Sequence, residues 1–337
     1  MNTFGWTVRE QTFHDVFIQG TQLHFQKSSN LTGSTLTPLA QDFLNSSPSS
    51  GQCITWIEEH VIANLVDGID PRNFYHFMFN IFQPLFDTLL RRQASVQGLS
   101  LLQMLIDCMQ APACPQTSSA ILVQPLVVNT PFSYLLEALG TRMIPLRPGT
   151  CFKSIQFAQA HSHHMSGLPS SMHKVSICDL SVSTLEQDSS MFGCSDILHA
   201  TFSLMSRWVS SVVFAKHPDQ PHGHDLLADL RPTQTLVTLV DRQSSRLLLN
   251  KVAVIERALL DLKVLFLTTD FSHGLHDTIS TLQQTYILLA VHGQALANVM
   301  FMKPGSVVLE IFPYGWLLAA GLSGDVVTTE TWSKHAR

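Results

Sequence analysis

In "NFYHFMFNIFQPLF" (73–86), His76 and Asn80 stand four residues apart within a polar stripe of Asn73, His76, Asn80, Gln83 and Asp87. Intervals of three and four put such side chains along one side of a helix. An imidazole titrates near neutrality, so a histidine set among aromatic residues at a cleft is suited to take a proton from an alcohol. The same stripe also fits the wet face of an amphipathic helix.

Two further stretches carry residues suited to binding an anion. "DRQSSRLLLN" (241–250) follows an apolar run and places Arg242 and Arg246 one helical turn apart, with Asn250 at its end. Guanidinium groups stay charged and present a bidentate fork to phosphate oxygens. A solvated or salt-bridged helix start would use the same residues. "VHGQALANVMFMKPGSVVLEIFP" (291–313) ends a strand at His292-Gly293 and then opens a helix. Gly293 permits a tight turn, the helix start offers unpaired amides to a diphosphate, and His292 supplies one more donor. The plainer reading is a strand-to-helix turn with a polar residue at its edge. Glu310 interrupts the apolar run Val307, Val308, Leu309, Ile311, Phe312. Burying an unpaired carboxylate costs several kcal/mol, so it needs a partner: a ribose hydroxyl, an arginine or backbone amides.

These residues need rigid elements to hold them. Apolar residues at Phe74, Phe77, Met78, Ile81, Leu85 and Leu89 predict an amphipathic helix over 72–92, kinked at Pro84. "AILVQPLVVN" (120–129) reads as a strand, "FSYLLEAL" as a helix closed by Gly140, "TRMIPL" as a short strand, and 197–214 as a helix. Residues 149–195 show no clear period. In the C-terminal part, strands at 235–241, 263–268, 286–291 and 306–312 alternate with helices through Ala258, at 275–284 and from Gln294. Continuous Val/Leu/Ile strands between helices predict a parallel sheet covered on both faces. The expected organisation is an N-terminal segment, partly loop, over 1–52, a first lobe over 53–215, a linker over 216–234 and a second lobe over 235–318, followed by an atypical tail over 319–337.

Composition narrows the function classes. The chain has 337 residues, 45% apolar and 13% charged, enough to bury two cores. The formal charge is −5 and no Lys/Arg run appears, which argues against nucleic acid as a partner. No apolar stretch is long enough to cross a bilayer, and the first residues lack the apolar centre of a secretory signal. Six cysteines match no zinc pattern and leave disulfides open without fixing their pairing. The histidines at 161–164, 217, 222 and 224 read as polar loops. The chain has no Asp-x-Asp, the short carboxylate pair that would hold a divalent ion against a diphosphate. Asn30-Leu-Thr and Asn45-Ser-Ser form glycosylation sequons in a Ser/Thr-rich stretch.

Taken together and in this order, the three quoted blocks resemble glycosyltransferase family 61, which includes plant β-1,2-xylosyltransferases, the protein O-mannose β-1,4-N-acetylglucosaminyltransferase and the EGF-domain O-linked N-acetylglucosaminyltransferase. The likeness spans roughly residues 55–317. It implies an α/β fold of the GT-B type, with two Rossmann-like lobes facing across a cleft. It also implies an inverting transfer from a UDP-sugar, with xylose or N-acetylglucosamine as donor, to a glycan or glycoprotein hydroxyl, without a metal or other cofactor. By the same resemblance Arg242 and Arg246 hold the UDP diphosphate, Asn250, His292 and Gly293 line that pocket, and Glu310 faces the ribose. His76 is the base or orients it, and Asn80 stands where relatives often carry Asp. That departure makes a nucleotide- or glycan-binding relative without transfer the alternative. Family members work in the Golgi or endoplasmic reticulum lumen, often behind an N-terminal anchor, so an incomplete N-terminus is expected here. The departure after "FPYGW" makes a truncated tail the matching expectation.

Overall fold

The computed structural model describes residues 12–19, 22–24, 53–64, 70–110, 114–115, 119–123, 125–139, 142–145, 147–158, 194–218, 235–242, 247–248, 257 and 264–312. Two compact units divide the chain, Met1–Ile197 and Leu198–Arg337. Each holds a mixed α/β arrangement around a largely or wholly parallel sheet.

The first unit contains β1 (Thr12–Gln19), β2 (Gln22–His24), β3 (Thr55–Asn64), β4 (Ala120–Val123), β5 (Met143–Pro145) and β6 (Thr150–Phe157). They lie in the order β2-β1-β6-β3-β4-β5. β6, β3, β4 and β5 run parallel, while β1 and β2 add an antiparallel edge. Val61, Ile62, Ile121, Leu122 and Val123 are all fully buried, as a sheet covered on both faces requires. Numbered in chain order, the parallel strands read 3-2-1-4, with β3 and β6 flanking the point where the order reverses. At such a switch point the loops leave two neighbouring strands in opposite directions and open a crevice beyond their carboxyl ends.

Two predicted elements change in this unit. The strand expected over 120–129 stops at Val123, and Pro125 begins a short helix, Pro125–Val128, where its missing N–H costs nothing. β6 lies where no period was legible, because Lys153, Ser154 and Gln156 interrupt its apolar side chains. Their polar groups are met across the sheet: His60 of β3 bonds Ser154 Oγ at 3.0 Å through Nδ1 and Gln156 Oε1 at 3.2 Å through Nε2. Disulfides join Cys53 to Cys151 and Cys108 to Cys114.

The second unit holds β7 (Leu236–Val240), β8 (Leu265–Thr269), β9 (Ile287–Val291) and β10 (Val307–Ile311), all parallel, in the order β10-β9-β7-β8. In chain order this is 2-1-3-4, with the reversal between β7 and β9. All four predicted strands are present. The helix expected through Ala258 lies outside the described residues, apart from Arg257. The helix expected from Gln294 is a 3-10 helix, Gln294–Phe301. The long helix Cys194–Lys216 is tied to it by Ser206 Oγ, which donates to the Met300 carbonyl at 2.6 Å. Among the described residues no helix is long and apolar enough to cross a membrane.

Candidate functional site

The first candidate centre begins at Asn73. Its side chain accepts from the Tyr75 amide at 3.0 Å and the His76 amide at 3.4 Å, which starts a helix at Phe74. Three residues of α-helix (Phe74–His76) run into a π-helical stretch (Phe77–Phe82) and then into α-helix again (Gln83–Gln97). The disruption expected at Pro84 takes this form. The Gln83 amide reaches back five residues to the Met78 carbonyl, and Pro84 has no amide to offer Asn80. The stranded Asn80 carbonyl accepts instead from Asn64 Nδ2 at 3.1 Å. Asn64 is the last residue of β3, at the switch point, so the sheet and the π turn are joined there.

His76 Nδ1 and Asn80 Oδ1 are 3.0 Å apart. An amide oxygen only accepts, so Nδ1 carries the proton and the lone pair falls on Nε2. That tautomer is the one a base needs. Burial pushes the neighbouring Tyr75 hydroxyl up to about 12, so it stays protonated near neutrality. The rest of the stripe is not a wet face, since Gln83 and Asp87 are 3% and 4% exposed. Asp87 is committed to Arg91 at 3.0 Å. Asn64 is the residue that sequence reasoning missed. Its only signal was a polar residue closing the apolar run "VIAN".

The second candidate centre lies at the other switch point. β7 and β9 pair up to Val240 opposite Ala290, and two residues further on stand Arg242 and His292. The two are thus brought to neighbouring strand ends. Arg246 and Asn250 fall outside the described residues. Glu310 pairs in register with Ala290, whose small side chain shares a face with His292. His292 Nδ1 meets Glu310 Oε1 at 2.5 Å. The imidazole also stacks on Phe312, with centroids 5.5 Å apart and an interplanar angle of 22°, while the His292 amide bonds the Ile311 carbonyl at 2.8 Å. Gly293 is extended and leads into the 3-10 helix, accepting from the Leu296 amide at 3.0 Å. The buried acid anticipated at 310 therefore has an imidazole as partner. Among the described residues no group of three His, Cys, Asp or Glu side chains forms a metal cluster.

The two candidate centres lie on separate parallel sheets, and the sequence from the first to the second matches one family. Residues 74–309 match the Glycosyltransferase 61 family. The chain belongs to that family. Two curated relatives are similar to it over 92 residues, at 25% identity in Xenopus laevis and 23% in Xenopus tropicalis. Each is a protein O-linked-mannose beta-1,4-N-acetylglucosaminyltransferase 2. Each match covers 27% of this chain and 16% of the relative. This family-61 chain thus aligns with a small fraction of their length.

Proposed function

We propose that this family-61 protein is an inverting glycosyltransferase that moves a sugar from a UDP-sugar to a hydroxyl of a glycan or glycoprotein. The observation that carries the reading is that the family match begins two residues before His76 and runs through His292. N-acetylglucosamine is the favoured donor sugar and an O-linked mannose the favoured acceptor, after the names of the two Xenopus relatives. Xylose is the other donor to test.

In this reading His76 Nε2 takes the proton of the acceptor hydroxyl while Asn80 holds Nδ1. The acceptor oxygen bonds to the anomeric carbon as the bond to UDP breaks on the opposite face. Arg242, Arg246, Asn250, His292 and Gly293 receive the diphosphate, so the leaving charge is met by fixed donors without a cation. The two units serve as the two Rossmann-like lobes of a GT-B enzyme. Two disulfides support a luminal compartment in the secretory pathway, where thiols oxidise.

Asn80, in place of the family's frequent Asp, favours a second reading: a nucleotide- or glycan-binding protein without transfer. Incubation with a panel of UDP-sugars and an O-mannosyl peptide, with and without EDTA, separates the two. UDP release that persists in EDTA supports the transferase. UDP binding without release supports the second reading, and a chain that fails to bind UDP is neither.

A further inference from the structure

We infer that Glu310 is a positioning residue for the diphosphate, acting through His292, and does not touch the donor's ribose. The inference rests on the donor-site reading above and sharpens it. Only 4% of the Glu310 side chain is exposed, whereas 26% of the His292 side chain is. The carboxylate therefore offers almost no surface to a ligand, and the imidazole above it does.

The geometry gives that imidazole a defined role. Glu310 Oε1 accepts from Nδ1–H at 2.5 Å, and Phe312 fixes the ring plane from one face. In the ring that carries both protons, Nδ1–H donates to Glu310 and Nε2–H is a donor suited to a phosphate oxygen. A neutral amide at the same place removes the negative charge that pairs with that form of the ring. Glu310 thus holds Nδ1 on the inner side and leaves Nε2 as the ring atom that meets the diphosphate. The switch point supplies the location: His292 follows the end of β9 and Arg242 lies two residues past the end of β7, on neighbouring strands where an open parallel sheet presents its crevice.

The test is titration calorimetry of the full chain with UDP, inorganic pyrophosphate and uridine. Glu310→Gln weakens UDP and pyrophosphate about tenfold or more, the size of a lost charge-assisted hydrogen bond, and leaves uridine unchanged. Glu310→Asp keeps the charge and retains the preference for UDP over uridine. The double variant Glu310→Gln with His292→Gln binds UDP no more weakly than His292→Gln alone, because the acid acts only through the ring. Equal losses for uridine and UDP would overturn the inference, since a ribose contact predicts that result. Additive losses in the double variant overturn it too, as does a wild type that binds neither UDP nor pyrophosphate. UDP release from UDP-sugars by the wild type, measured alongside, reports on the transferase reading by itself. Turnover combined with equal losses for uridine and UDP therefore sinks the positioning role alone.

Discussion

His76 and His292 each stand beyond the carboxyl end of a parallel strand, and each is held through Nδ1 by one side chain. The partners differ: an amide oxygen at 3.0 Å for His76, a carboxylate at 2.5 Å for His292. In the neutral ring an amide oxygen at Nδ1 leaves the lone pair on Nε2, whereas a carboxylate at Nδ1 also pairs with the ring that carries a proton on both nitrogens. In the proposed function the same side chain is a base in one unit and an anion donor in the other, with a different neighbour at Nδ1 in each. Residue type alone would not separate the two roles.

The largest expected effect comes from removing the proposed base. His76→Ala should lower kcat about 10²–10⁴-fold with UDP affinity unchanged, whereas His292→Ala should raise the UDP dissociation constant. Steady-state kinetics beside calorimetry reads both, and a His76→Ala protein that loses UDP binding would merge the two centres. Next in size is an exchange of partner. Asn80→Asp gives His76 the kind of neighbour His292 has, while Asn80→Leu leaves Nδ1 without an acceptor. We expect kcat to rise about threefold to tenfold in the first, including turnover where the wild type shows little, and to fall about tenfold in the second. Equal rates for the two variants would mean that the Asn80 side chain does not steer the ring. The smallest effect is on folding. Asn64→Leu deprives the Asn80 carbonyl of its donor and should cost about 1–3 kcal/mol, read as a lower midpoint in urea. An unchanged midpoint would show that the π turn does not depend on β3.

Much of the second unit was legible from sequence, because its strands are unbroken Val/Leu/Ile runs with polar residues at their ends. Glu310 announced itself in the same way, as a charge inside such a run. Its partner was harder to see: His292 lies eighteen residues away in sequence, and only the register of β9 with β10 brings the two together. The first unit was less legible. β6 carries three polar residues whose partners on β3, His60 for Ser154 and Gln156 and Glu58 for Lys153, are about a hundred residues away, so its pattern could not be read locally. The π-helical stretch was hidden for a related reason. Pro84 announced a fault in the helix, but the form of the fault depends on a donor from Asn64, sixteen residues earlier on another element.

The Cys53–Cys151 bridge has a bearing on all of this. It binds the entry to β3 to the start of β6, neighbouring strands whose following segments diverge past their other end, beside Asn64. A rivet at the blunt end of a fork keeps the tines at a set spacing while their tips carry different loads. Reducing agent would therefore loosen the seat of His76 from a distance, through the sheet and without touching a residue of the centre.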